Sequence, residues 1–234
     1  MRSHLFNFLL QFIVAWVNII WFKVTRVKVA CVKVTWFSVI VMALVATGAQ
    51  AAQTIVVFGD SLSAAYGIQP NTGWVVLLDN KLQQQNSDVK VINASISGET
   101  TSGGLSRFNQ MLITHKPDII VLELGANDGL RGLSLREMQS NLNSMISKAK
   151  AANATVMLLG MKIPPNYGIQ YTQKFSAVYS SLAAKYQLNL VPFFLDGVAG
   201  NPSLILDDGL HPTAAAQPQL LENIWPTLKT LLKK

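Results

Sequence analysis

The chain has 234 residues, half of them apolar and 13% charged, with a formal net charge of +7. That length fits one domain with an appendage. The positive charge is local: Arg2, Lys23, Arg26, Lys28 and Lys33 are five of the nineteen basic residues and lie where no acid stands, so fourteen bases face twelve acids in the rest. The body has no basic run of the kind that tracks phosphate backbones, and no nucleic-acid partner is expected.

The N-terminus reads as a targeting segment over residues 1–51. Lys33 precedes the apolar run Trp36 to Ala46, and Ala49-Gln50-Ala51 fits the small-x-small cleavage rule. Cleavage after Ala51 is expected, with the product periplasmic or secreted. A retained membrane helix is the alternative, although the run is short for spanning a bilayer. The earlier apolar stretch Leu5 to Phe22 is interrupted by Asn7, Gln11 and Asn18. It is read either as an over-long start, with translation beginning near Val29 or Val32, or as part of a two-segment anchor. Cys31, the one cysteine, falls in this segment. A body without cysteine has no disulfide, thiol nucleophile or cysteine metal site and relies on its core.

From residue 52 onward, short apolar runs alternate with helical patterns. The runs are 54–58, 89–93, 119–124, 155–160 and 188–193, rich in Val, Ile and Leu as strands covered on both faces should be. Helical spacing is expected over 74–85, 104–115, 133–152, 171–186 and 214–232. In the third of these Leu135, Met138, Leu142, Met145, Ile146 and Ala149 share one face. Ser134 with Glu137 three residues later suggests a capping box. This order implies an α/β fold with a parallel sheet, right-handed crossovers and helices on both faces, and pattern alone leaves the strand order open.

In such sheets ligands gather at the carboxyl ends of strands. Those loops contain Gly59-Asp60-Ser61, then "ASISGET" with Gly98, then "GAND" with Asn127, then "DDGLHP" with Asp208 and His211. Each motif alone has a structural explanation: Gly-Asp-Ser as a turn, Asn-Asp as a helix cap. His115, before a strand, reads as a boundary histidine. Together the residues meet a chemical need. A serine hydroxyl needs a base within hydrogen-bond reach. A histidine base needs a carboxylate to fix its tautomer, and Asp208 stands three residues before His211. An oxyanion needs preorganised donors, for which Gly98 and Asn127 are candidates.

These blocks identify a resemblance. The stretches "GDSLSAAYGI", "VINASISGETTSGGLSRF", "LELGANDGLRGL", "KIPPNYGIQY" and "DDGLHPTAAAQP" resemble the SGNH (GDSL-type) hydrolases, above all the bacterial exported thioesterase I, lysophospholipase L1 and arylesterase group. The resemblance runs from about Thr54 to the C-terminus and implies a flavodoxin-like three-layer α/β/α sandwich on five parallel strands, spanning 52–234. It implies Ser61 as nucleophile, His211 as base and then acid, and Asp208 as its orienter. The implied oxyanion donors are the backbone N–H groups of Ser61 and Gly98 and the side-chain amide of Asn127. No metal or organic cofactor is expected.

The substrate expected is a small acyl ester, a thioester or a lysophospholipid. Leu130, Leu133, Ile163, Pro164 and Tyr167 are taken as the acyl-binding wall, with ordinary loop packing as the alternative for each. Gly129 and Gly132 either let that first loop move or serve as turn glycines. The body is expected to be a monomer, touching membrane only through the N-terminal segment or a lipid substrate. A carbohydrate acetyl esterase on the same scaffold and a non-catalytic exported binding domain are the competing readings.

Overall fold

The computed structural model describes residues 52–85 and 87–232. The stretch expected to be a targeting segment, with the expected cleavage site, Cys31 and the alternative start positions, lies outside them. Among the described residues no helix is long and apolar enough to cross a membrane.

Five strands form one sheet: β1 (Gln53–Gly59), β2 (Val89–Asn93), β3 (Ile119–Glu123), β4 (Thr155–Leu159) and β5 (Asn189–Val191). All pairings are parallel and the order is β2-β1-β3-β4-β5, as in flavodoxin-like sheets. The principal helices are α1 (Trp74–Gln84), α2 (Thr101–His115), α3 (Ala126–Leu130), α4 (Leu135–Ala151), α5 (Ile169–Tyr186) and α6 (Gln217–Leu228). Right-handed crossovers in this order put α1 and α6 on one face and α2, α4 and α5 on the other. The packing agrees: α1 lies against α6, α2 against α4, and α4 against α5. This is the three-layer sandwich expected.

The central strands are dry on both faces, which explains their unbroken apolar runs. Ile55 to Phe58 and Ile120 to Leu122 have no solvent exposure, and each such side chain contributes about 1.5–3 kcal/mol through burial. The edge strands are less covered, and β5 is only three residues long, which limits the unpaired ladder it offers to other chains. Two polar ties pin α1 to α6. The buried Gln217 accepts the Trp74 N–H at 3.0 Å, filling a donor that a helix start leaves open. Lys81 pairs with Glu222 at 2.7 Å.

Every expected element is present with boundaries moved by a few residues, and α3 is an element that the pattern did not give. α2 begins at Thr101 because Thr100 caps it, its hydroxyl accepting the Gly103 N–H. Ser134 caps α4 by accepting from the Glu137 N–H at 3.3 Å. On α4, Met138, Leu142, Met145, Ile146 and Ala149 are buried. Leu135, in the first turn, is half-buried. The last helical stretch is divided: a 3-10 turn over Ala214–Ala216 precedes α6, which starts with Pro218 near its N-terminus.

The strand order fixes where a site can form. The chain leaves β1 toward β2 on one side and later returns to β3 on the other. The crevice therefore opens at the carboxyl ends of β1 and β3, where Gly59-Asp60-Ser61 and Gly125-Ala126-Asn127 emerge.

Candidate active site

β1 ends at Gly59, where the Glu123 carboxyl packs against the backbone. A Cβ on Gly59 would come within 2.5 Å of the Glu123 carboxyl and 3.0 Å of its backbone oxygen. The chain then turns, and Asp60 caps that turn by accepting the Leu62 N–H at 3.0 Å. Ser61 sits at the turn, half-buried. The loop after β2 is sewn to it. Ser95 Oγ accepts the Gly59 N–H, Ile96 N–H donates to the Gly59 carbonyl, and Asn93 Nδ2 donates to the Ser63 carbonyl. Gly98 follows with φ +77°, a conformation that favours glycine. Behind it Glu99 is ion-paired with Arg107, whose Nη1 also donates to the Ala94 carbonyl at 2.7 Å. The Arg107 guanidinium lies 3.9 Å over the Phe58 ring.

Asp208 and His211 stand on a short antiparallel hairpin. The Leu206 N–H donates to the His211 carbonyl at 2.7 Å and the Thr213 N–H to the Leu204 carbonyl at 2.8 Å. Gly209, φ +73°, turns the tip. Asp208 Oδ1 accepts the backbone N–H groups of Leu210 and His211, both at 2.9 Å. Its Oδ2 lies 2.6 Å from His211 Nδ1, and His211 Nε2 lies 2.9 Å from Ser61 Oγ. The His211 backbone N–H, together with the Leu210 amide and the imidazole, pulls the Asp208 carboxyl down to about 2. With that carboxylate accepting from Nδ1–H, Nε2 is left to accept the Ser61 proton. Tyr66 lays its ring 4.5 Å from the imidazole, centre to centre.

Of the residues named as oxyanion donors, Ser61 and Asn127 line one cavity, while Gly98 does not line it. Gly98 is tied to Asn127 through Arg131, whose Nη2 donates to the Gly98 carbonyl at 2.8 Å and to Asn127 Oδ1 at 3.4 Å. Among the described residues, the amides of Ser61 and Gly98 donate to no protein acceptor. Asn127 enters from the first turn of α3. Its Nδ2 donates to Asp60 Oδ2 at 3.0 Å and to the Glu99 carbonyl at 3.1 Å, so both amide hydrogens are engaged and a further acceptor must share one of them. Asp128 takes another task. It is buried and accepts the Thr101 N–H at 2.8 Å and the Thr101 hydroxyl at 2.6 Å, so it caps α2 from outside that helix.

Ser61, Asn127 and His211 line a cavity of about 500 Å³. Leu130, Ile163 and Pro164, named from the sequence, line it as well. Leu133 and Tyr167 do not, which corrects the acyl-wall expectation. Leu133 is exposed beyond the α3 turn, and the Tyr167 hydroxyl donates to the Leu130 carbonyl at 2.9 Å, bracing the loop from outside. Phe193, Leu195, Ile205 and Leu210 are among the other apolar residues of the lining. Phe193 and Leu195 follow β5, so the carboxyl-end rule could have nominated them; Ile205 needed the hairpin. Glu123 was also passed over, although a lone carboxylate in the run "IIVLEL" is itself a signal. Gly129 is a packing glycine, with a Cβ there falling 2.5 Å from Phe175. Gly132, φ +64°, is a turn glycine. Among the described residues no three His, Cys, Asp or Glu side chains gather as a metal-holding group.

Comparison with known proteins finds similar chains. The model of the GDSL-like lipase/acylhydrolase family matches residues 57–217. The chain is 53% identical over 182 residues to "Esterase TesA" of Pseudomonas aeruginosa, covering 78% of this chain and 90% of that one. It is 40% identical over 184 residues to "Thioesterase 1/protease 1/lysophospholipase L1" of Escherichia coli K12, covering 79% and 87%. Among solved structures, the psychrotrophic esterase EstA from Pseudoalteromonas sp., inhibited by monoethylphosphonate, superposes with a TM-score of 0.73 at 42% identity. That match covers 76% of this chain and 97% of the other.

Proposed function

The chain belongs to the GDSL-like lipase/acylhydrolase family, and we propose that it is a serine esterase hydrolysing acyl esters and thioesters, lysophospholipids among them, through an acyl-enzyme on Ser61. One observation carries this reading. The hydrogen-bonded series Asp208–His211–Ser61 ends in a mostly apolar cavity that Ser61 and His211 both line. The names of the relatives, an esterase, an arylesterase and a thioesterase/lysophospholipase, support the substrate class.

In this mechanism Ser61 Oγ attacks the carbonyl carbon as its proton passes to His211 Nε2. Asp208 stabilises the imidazolium through Nδ1–H. The oxyanion takes the N–H groups of Ser61 and Gly98 and shares one hydrogen of the Asn127 amide, each donor lowering the barrier by about 3–4 kcal/mol. Collapse breaks the bond to the alkoxide or thiolate, which leaves with the proton from His211. Water then attacks the acyl-Ser61 carbonyl while His211 takes its proton, and a second collapse returns the proton to Ser61 and releases the acid. Leu130, Ile163, Phe193 and Leu195 offer the acyl chain a surface that a short acetyl group would not use.

The test is hydrolysis of p-nitrophenyl esters from acetyl to palmitoyl. Turnover peaking at medium chains and falling about 10⁴-fold or more in Ser61→Ala is expected. Turnover confined to acetyl would transfer the protein to the carbohydrate esterases. No turnover on any ester by the folded chain would remove the esterase assignment. The proposal extends to location: a leader cleaved after Ala51 delivers the body to the periplasm or the medium. N-terminal sequencing of the exported protein decides it, and a product that retains residues 1–51 overturns it.

A further inference from the structure

Beneath Ser61 lies a buried acidic pair that the hydrolytic cycle above does not use. Register pairs Gly59 with Glu123 across β1 and β3, so the Glu123 side chain meets Asp60, one residue past the end of β1. Both are wholly buried. Glu123 Oε2 accepts the Asp60 N–H at 3.2 Å and the Ser63 hydroxyl at 2.8 Å. Its Oε1 has no donor among the described residues, and the backbone N–H that Oε2 accepts is that of Asp60 itself, so the two carboxyl groups are buried side by side.

Two ionised carboxylates buried side by side repel each other and lose their hydration, so the favoured state keeps a proton on one of them. Asp60 is already committed as an acceptor on both oxygens, from the Leu62 N–H at 3.0 Å and from Asn127 Nδ2 at 3.0 Å. The proton therefore belongs to Glu123. We propose that Glu123 is a positioning residue: as a neutral acid it donates to Asp60, and so holds Asp60 where it fixes the side-chain amide of Asn127 for the oxyanion. The inference rests on the reading of Asn127 as an oxyanion donor.

The electrostatics favour the same state. Burial, and then the Asp60 charge, push the Glu123 carboxyl well above the carboxylate range. Burial pushes Asp60 to about 6, opposed by the Leu62 N–H, the Asn127 amide, the His211 charge and Glu123. The other titratable groups facing the pair are Tyr179 of α5 and Asp128 of α3. The Tyr179 hydroxyl donates to the Leu124 carbonyl at 3.0 Å, and burial together with the charges of Glu123, Asp60 and Asp128 keeps it protonated. Asp128 is bound to Thr101. One negative charge on the pair leaves the site able to accept an oxyanion nearby; two would oppose it.

The experiment compares Glu123→Gln, Glu123→Leu and Asn127→Ala in the full-length protein. Glutamine matches the neutral acid in shape, donates to Asp60 and still accepts from Ser63. Its kcat is expected within about threefold of the parent with the same pH profile, whereas leucine, with no donor, should lose about 10–100-fold in kcat at unchanged KM. Infrared spectra of the parent at mildly alkaline pH should show a carboxylic-acid C=O stretch that Glu123→Gln lacks. That readout does not depend on the leucine variant folding. Overturning results are a glutamine variant as impaired as the leucine variant, a leucine variant as fast as the parent, or no acid stretch assignable to Glu123. Asn127→Ala separates the two levels: if it keeps full kcat, the oxyanion reading itself fails. If it loses about 10²–10³-fold while Glu123→Leu does not, only the positioning role fails.

Discussion

His211 is held from three sides, and each contact makes a different contribution. Asp208 fixes Nδ1, the hairpin fixes the backbone, and Tyr66 covers the ring. Because the Asp208 carboxyl is pulled down to about 2, it stays charged across any ordinary assay, and its own protonation is absent from the rate profile. Asp208→Asn is expected to lower kcat by about 10³–10⁴-fold at neutral pH with the fold intact, because the amide no longer enforces the tautomer. Tyr66 is half exposed and has little packing role of its own. In the proposed mechanism its ring attracts the imidazolium formed during attack, so Tyr66→Ala should cost about two- to fivefold in kcat/KM while Tyr66→Phe costs nothing. Equal losses in both variants would point to the hydroxyl instead.

At the scale of elements, the loops at the carboxyl edge work because particular glycines let neighbouring elements close in. Gly125, between β3 and α3, has φ +116°, and a Cβ there would come within 2.4 Å of the Tyr179 hydroxyl and 2.7 Å of Met138 Cε. Gly125→Ala is expected to destabilise the protein by about 2–4 kcal/mol through strain and overpacking, read as a lower urea midpoint. Gly132, with φ +64° and open space around it, is the control. Its replacement by Ala carries backbone strain alone, about 1 kcal/mol. If both variants lost the same amount, packing against Tyr179 would not matter. The helix α3 was absent from the sequence reading, since five residues containing Asn, Asp and Gly carry no helical period. It forms because Gly125 turns the chain and the α5 side chains pack over Gly129.

The molecule as a whole buries two carboxyls whose proton affinity the fold raises, and one of them, Glu123, keeps its proton beside the Asp60 carboxylate. Unfolded, both ionise in the ordinary range near about 4. Folded, Asp60 binds its proton up to about 6, and burial raises Glu123 well above its ordinary value. Above the unfolded value the folded chain binds more protons than the unfolded chain, so stability falls as pH rises. The thermal midpoint of the parent is expected to drop between about pH 5 and 8, and that of Glu123→Gln to drop less, because one of the two proton-binding sites is gone. Parallel curves would show that Glu123 ionises in the fold. This pair lies at the junction of β1 and β3, the point that the strand order opens to substrate.

Local signals in the sequence determined the elements and the short-range site geometry. Period-two and period-3.6 patterns need only neighbours, and Asp208 and His211 are three residues apart, within reach of one turn. The candidacy of Ser61, Gly98 and Asn127 was legible because glycine and polar residues interrupt apolar runs at strand ends. Only the tertiary structure decided the strand order, the 2.9 Å approach of His211 to a serine 150 residues away, and which apolar side chains face the cavity. Leu133 and Tyr167 show the reason. Being near the site in sequence and apolar in type does not fix the direction of a side chain, and the crossovers place Phe193 and Leu195 there instead. The Asp60–Glu123 contact is of the same kind: it exists because β1 lies beside β3, a pairing that no local pattern encodes.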